Sequence, residues 1–128
     1  MAGRKILVFM GSPRKSGNSA ILAREAIAGA KAGGARVESF YLHGMRIGPC
    51  SACDACRRKK QKDCILKDDM APLYPKIRQA DAIVIATPVY WFTVSAQTKL
   101  FMDRWYALGG EEGYALKGKK FGLILTYA

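Results

Sequence analysis

The chain has 128 residues, half of them apolar, and 21 basic against 10 acidic side chains give it a formal charge of +11. That length supports one domain with a real core and is too short for two, and no apolar run approaches the about 20 residues needed to span a bilayer. Much of the basic excess is local and no aromatic side chains interleave it, which argues against a nucleic-acid surface.

Residues 4–10 are a short apolar run closed by Gly11-Ser12-Pro13, which predicts a strand buried on both faces. The run Ile6-Leu7-Val8-Phe9-Met10 is far too short for the apolar core of a secretory leader, so a cytoplasmic location is expected. The loop Gly11-Ser12-Pro13-Arg14-Lys15-Ser16-Gly17-Asn18-Ser19 follows, at the place where doubly wound folds hold ligands. Hydroxyls of Ser12, Ser16 and Ser19, the Asn18 amide, the Arg14 and Lys15 cations and the N–H groups of a helix start suit a phosphate dianion. Neither GxGxxG nor GxxxxGK[ST] is present, which disfavours the standard dinucleotide and Walker loops. An ordinary polar loop with a good N-cap is the plainer alternative.

A helix is expected from this loop to about residue 31, with Ile21, Leu22, Ala26 and Gly29 near one face and Gly33-Gly34 as its stop. Residues 35–42 read as a second strand, Val37, Ser39 and Tyr41 facing opposite to Glu38, Phe40 and Leu42. Residues 43–67 then interrupt the alternation as an insertion within a single domain spanning 1–128.

That insertion holds the four cysteines of the chain, spaced Cys50-x2-Cys53-x2-Cys56-x7-Cys64. Short x2 turns bring three thiolates around one side of a metal group and the longer arm returns the fourth, a pattern suited to a four-iron cluster. Zinc takes four thiolates too, though usually from two separated CxxC knuckles, and free or disulfide-paired cysteines are the third alternative. In a reducing cytosol clustered cysteines read as ligands. The run Arg57-Arg58-Lys59-Lys60, with Lys62, lies inside the loop, where cations favour a reduced anionic centre and steer an acidic partner, or simply form a solvated loop. His43, the single histidine, is read as a surface or core residue, since four cysteines already fill a ligand set.

Asp68 or Asp69 is expected to cap a second helix carrying Leu73 and Ile77. Residues 82–87 are the clearest buried strand, expected to end at Pro88. Beyond it, Val89-Tyr90-Trp91-Phe92-Thr93 offers consecutive aromatics that suit either the border of a flat ring system or an interface. A third helix is predicted over 95–108 with Leu100, Phe101, Trp105 and Leu108 on its apolar stripe and Lys99, Asp103 and Arg104 off it. Residues 120–126 are a fourth strand. Short βα units of this kind imply an α/β, doubly wound parallel sheet in three α/β/α layers.

Three segments, Gly11-Ser12-Pro13-Arg14 with Ser16-Gly17-Asn18-Ser19, Thr87-Pro88-Val89-Tyr90-Trp91, and Lys99-Leu100-Phe101-Met102-Asp103-Arg104, together resemble the NAD(P)H-dependent FMN reductase superfamily of flavodoxin-like proteins. The cysteine spacing narrows the resemblance to its iron-sulfur flavoprotein branch. The resemblance implies FMN and a [4Fe-4S] cluster as cofactors, and a redox protein passing electrons between a reduced donor, FMN and the cluster. The donor it implies is NAD(P)H or a ferredoxin-like protein, and the assembly a homodimer or homotetramer, with no nucleic acid or membrane partner. By position, Ser12, Arg14, Ser16, Asn18 and Ser19 would hold the FMN phosphate, Pro88, Val89, Tyr90 and Trp91 would line the isoalloxazine, and Cys50, Cys53, Cys56 and Cys64 would bind the cluster. Asp103 and Arg104 look structural, and no catalytic side chain is implied, since flavin and metal carry such chemistry. The family pattern continues past the fourth strand with a flavin-contacting loop, another helix, a fifth strand and a final helix. None of these lies within the 128 residues, which leaves the fourth strand as an edge able to pair with another copy. The rival readings are an NAD(P)H-dependent FMN or quinone reductase without a functional cluster, and a zinc-stapled, non-catalytic binding protein.

Overall fold

A computed structural model describes residues 3–58, 63–110 and 113–128. Lys59, Lys60 and Lys62 of the basic run lie outside the described residues. Four strands, β1 (Lys5–Met10), β2 (Arg36–Tyr41), β3 (Ala82–Tyr90) and β5 (Lys120–Thr126), run parallel in the order β2-β1-β3-β5. A two-residue strand β4 (Thr93–Val94) folds back antiparallel on the end of β3. This is a flavodoxin-like sheet, and the chain reverses direction across it between β1 and β3, which opens a crevice at their carboxyl ends.

Helix α1 (Asn18–Ala32) covers one face, whereas α2 (Leu73–Gln79) and α3 (Ala96–Asp103) cover the other. Alternation along β1 divides its side chains accordingly. Leu7 and Phe9 enter the larger core with Leu73, Ile77, Ile83, Ile85 and Phe101, while Val8 meets Ala23 and Ala86 under α1. The β1 prediction of burial on both faces therefore holds.

The face of α1 is not the expected one. Ile21 and Leu22 are about half exposed, and Ala26 and Gly29 are exposed, while Ser19, Ala20 and Ala23 face the sheet. Small residues at the fully buried positions let the helix approach the sheet closely, with Ile27 packing partly buried against the same cluster.

Pro88 does not end β3, which continues to Tyr90. The Ala86 carbonyl accepts from Gly11 N–H (2.8 Å) on the β1 side, so Pro88, two residues on, would aim its missing N–H past the end of β1, where no strand needs it. Neither Asp68 nor Asp69 caps α2. Pro72, which has no side-chain acceptor, stands at its N-cap, and Asp68 pairs with Arg104 and Met70 N–H instead. The third helix is α-helical only over Ala96–Asp103 and tightens into a 3-10 turn over Arg104–Leu108. Arg104, expected off the apolar stripe, is 1% exposed, and no larger side chain in the core is as fully buried. Its charge is accepted there because a carboxylate meets it, as described below. No helix among the described residues is long and apolar enough to cross a membrane.

Candidate functional site

At the carboxyl ends of β1 and β3 lies a cleft of ≈650 Å³ lined by Ser12, Arg14, Ser16, Gly17, Asn18, Ser19, Pro88, Val89, Tyr90, Thr126, Tyr127 and Ala128. Eight of the nine residues singled out in the two flavin motifs are in this wall. The ninth, Trp91, stands outside it at 90% exposure.

The loop is shaped by its own backbone. Ser12 Oγ is buried and accepts from Arg14 N–H (3.0 Å), and Gly17 N–H donates to the Arg14 carbonyl (3.3 Å). Gly17 is the N-cap of α1 and offers no side-chain oxygen, and the first turn carries no acidic residue. The opening N–H groups of a 15-residue helix are therefore left to whatever enters the cleft, with Arg14 in the same wall and no Asp or Glu side chain among the described lining residues. Such a terminus suits a phosphate.

Behind the loop is an anchor that pattern reading missed. Ser95 Oγ donates to the Gly11 carbonyl (2.7 Å) and meets Thr98 Oγ1 at 2.8 Å, Gln97 Nε2 donates to the same carbonyl (2.8 Å), and Ser95 N–H donates to Thr87 Oγ1 (3.2 Å). Thr87, Ser95 and Thr98 are fully buried. A Cβ on Gly11 would stand 1.9 Å from Thr98 Oγ1, so only glycine fits between β1 and α3. The available signal was the hydroxyl and amide set Thr87, Ser95, Gln97 and Thr98 flanking the aromatic segment. Thr126, Tyr127 and Ala128 were missed as well. They join the cleft because the Pro88↔Thr126 pairing sets the end of β5 beside that of β3.

The tip of the β3–β4 hairpin is strained. Tyr90 pairs with Thr93, leaving a two-residue turn in which Trp91 (φ 46°) and Phe92 (φ 74°) both take the left-handed conformation that turns of this type usually give to Asn-Gly. Their rings meet edge to face at 5.6 Å and are 90% and 89% exposed.

The cysteine segment lies under the opposite side of the sheet, against the turn that ends α3. Cys50, Cys53, Cys56 and Cys64 all line one small pocket with Arg104, Tyr106 and Ala107. All four are free thiols, Cys50 and Cys53 exposed, Cys56 and Cys64 partly buried against the larger core. Among the described residues no group of three or more His, Cys, Asp or Glu side chains is drawn together closely enough to hold a metal ion.

The surroundings nevertheless fit a thiolate-bound group. The Ala55 N–H, then the Ser51 hydroxyl, hold the Cys53 thiol below its ordinary value, and Leu66 N–H donates to Cys64 Sγ (3.5 Å). Burial pushes the Cys56 thiol up, against the pull of Arg57. Three residues of the segment, Ala52 (φ 55°), Asp54 (φ 55°) and Asp63 (φ 65°), take left-handed backbone, strain of the kind that gathers at binding loops. Arg104 Nε, buried in the wall of the same pocket, makes no hydrogen bond. Side chains also dock the segment: Arg57 lies over the Tyr106 ring at 4.0 Å, and Tyr106 Oη donates to Asp54 Oδ1 (2.9 Å).

With that geometry in place, residues 4–128 match the NADPH-dependent FMN reductase family. An iron-sulfur flavoprotein of Archaeoglobus fulgidus is 36% identical over 97% of this chain and 54% of its own length. One of Methanosarcina thermophila is 38% identical over 90% of this chain and 59% of its own length. Among solved structures, the NAD(P)H:quinone oxidoreductase from Methanothermobacter marburgensis superposes with a TM-score of 0.79 at 18% identity, covering 98% of this chain and 66% of that one, a likeness of fold. The chain spans less than two thirds of the length of each of these two flavoproteins. On the match over residues 4–128, this chain belongs to the NADPH-dependent FMN reductase family.

Proposed function

We propose that the protein is an FMN-dependent oxidoreductase that moves electrons between a reduced donor, FMN in the cleft and a [4Fe-4S] cluster on Cys50, Cys53, Cys56 and Cys64. The observation that carries this reading is the single cleft in which Ser12, Arg14, Ser16, Asn18 and Ser19 face Pro88, Val89 and Tyr90. FMN exchanges electrons in pairs or singly and an iron–sulfur group takes one at a time, which together let a two-electron donor feed one-electron acceptors. Everything else is the work of this chain. The uncapped start of α1 and the Arg14 guanidinium bind the phosphate, the Ser95–Gly11 anchor holds the loop in register, and Tyr90 with Pro88 and Val89 orients the ring.

The relatives named as iron-sulfur flavoproteins support a cluster over zinc. The donor is NAD(P)H, in keeping with the family, or a ferredoxin-like protein; the location is cytoplasmic and the assembly a homodimer or homotetramer. The competing reading, a reductase in which the cysteine segment is structural, draws on one observation. Arg57, Tyr106 and Asp54 already dock that segment with protein contacts, and the void between the cysteines is ≈20 Å³, about one water in size.

Anaerobic purification with flavin, iron, sulfide and zinc quantitation decides between them. The two-centre reading expects about one FMN and about four irons per chain. Cys64→Ala is expected to lose iron and keep FMN, while Ser12→Ala and Asn18→Ala each weaken FMN about tenfold and spare iron. Flavin without iron, with NAD(P)H oxidation unchanged by cysteine replacement, establishes the simple reductase instead.

A further inference from the structure

We infer that Arg104 is the positioning residue of the four-cysteine centre, closing the base of the cysteine segment and setting a fixed positive charge in the wall its sulfurs line; the inference rests on reading that segment as a thiolate centre. Arg104 Nη1 donates to Asp68 Oδ2 (2.6 Å) and to the Gly48 carbonyl (2.9 Å), and Nη2 donates to Asp68 Oδ1 (3.1 Å). Asp68 returns the bond to the other end of the segment, its Oδ2 accepting from Gly48 N–H (2.9 Å), and Met70 N–H donates to Oδ1 (3.1 Å). Gly48 stands two residues before Cys50 and Asp68 four after Cys64, so one guanidinium ties the two stems of the whole cysteine loop to each other and to α3. Tyr74 Oη, buried, donates to the Arg104 carbonyl (2.9 Å) and fixes the backbone beneath it.

A helix anchor alone would not need this arrangement. A buried ion pair is commonly no more stabilising than apolar residues of the same volume, because desolvation offsets the attraction. Here the charge sits at 1% exposure in the lining of the pocket that all four cysteines share, and Nε is the one guanidinium nitrogen with no hydrogen-bond partner among the described residues. Four thiolates around a metal group carry net negative charge, which increases by one when an electron arrives from the donor. A buried cation in the wall favours that reduced form, and a free N–H is the donor type that tunes sulfur-bound centres.

The test uses the full chain reconstituted with ferrous iron and sulfide, reading iron per chain and the midpoint potential by redox titration. Arg104→Met is expected to shift the one-electron reduction equilibrium about tenfold toward the oxidised form, about 59 mV to lower potential. Asp68→Asn, which keeps the shape and removes the counter-charge, moves it the opposite way. A purely structural role moves both variants together or neither, so equal potentials in the two variants overturn the inference. If Arg104→Met fails to fold by circular dichroism, Asp68→Asn alone decides it, an unchanged potential being the refuting result.

Wild-type protein that takes up no iron overturns the cluster reading instead, and the closure of the loop is then read on metal-free protein. Arg104→Met should raise the thiol-labelling rate of Cys64 about tenfold, as expected for losing about 1.4 kcal/mol of closure, while exposed Cys50 is unaffected. Unchanged labelling at Cys64 refutes the closure.

Discussion

The two candidate sites of this molecule are built on opposite principles. The cleft is made from strand ends and a helix start, elements whose positions follow from the sheet. Its loop combines a local bond, Arg14 N–H to Ser12 Oγ, with one backbone-directed tie from the start of α3, the Ser95–Gly11 anchor. Among its described residues the cysteine segment has one 3-10 turn, Ala55–Arg57, and it is held by side chains of the turn that ends α3, Arg104 with Asp68 and Tyr106 with Asp54. The cleft is thus set by the sheet itself, whereas the shape of the cysteine loop depends on a few side-chain bonds to the turn after α3.

That contrast is open to direct attack. The largest effect is expected at Gly11, where a Cβ would stand 1.9 Å from Thr98 Oγ1. Gly11→Ala should cost about 3 kcal/mol in chemical denaturation and abolish flavin binding. Thr98→Ala in the same chain, which removes the clashing oxygen, should recover part of the loss. Full stability in the single variant would show that the cleft does not depend on this close approach.

Acid separates the regions next. Burial pushes the Asp68 carboxyl up, but Arg104 and the Gly48 and Met70 N–H groups outweigh it and hold it below the ordinary carboxylate range. The Lys5 N–H, opposed by desolvation and helped by Arg4, lowers Asp81 at the far end of the sheet. Both groups have folded values below their unfolded ones. Each therefore contributes stability that is complete above the unfolded value of 3.8 and is lost as pH falls through the folded value. Asp68→Asn should flatten the acid limb of a pH–stability curve more than Asp81→Asn, because Asp68 is the less exposed and its partner is fully buried. Equal flattening would count against the guanidinium as the dominant partner.

The smallest effect belongs to the hairpin tip. Replacing Trp91-Phe92 by Asn-Gly suits the turn and should raise stability by about 1 kcal/mol in thermal melts, leaving iron content unchanged. A loss of stability would mean the two exposed rings are held by contacts that outweigh the strain.

Much of the layout was legible in the residues themselves. Continuous apolar runs marked β1 and the core of β3, because a strand buried on both faces leaves no polar alternation, and the last strand was predicted over the same 120–126 that form β5, although Phe121, Leu123 and Leu125 of that edge strand are exposed. The loop residues that line the cleft were legible too, because hydroxyls, an amide and a glycine cluster where the first strand gives way to a helix, although the same residues suit an ordinary N-cap. The inward face of α1 was not. Period alone pointed to Ile21 and Leu22, yet the fully buried positions of the helix are Ser19, Ala20 and Ala23, with Ile27 partly buried beside them.

By itself, then, the sequence determined the order of βα units, the phosphate-type loop and a four-cysteine segment, because those depend on local composition and spacing. Tertiary structure decided the rest. Arg104, which reads as a surface cation in the helical pattern, becomes the buried tie between Gly48 and Asp68. Thr98, unremarkable in sequence, dictates glycine at position 11. Both outcomes turn on which atoms distant segments bring within bonding or clashing distance, a property of packing that no local window of residues contains.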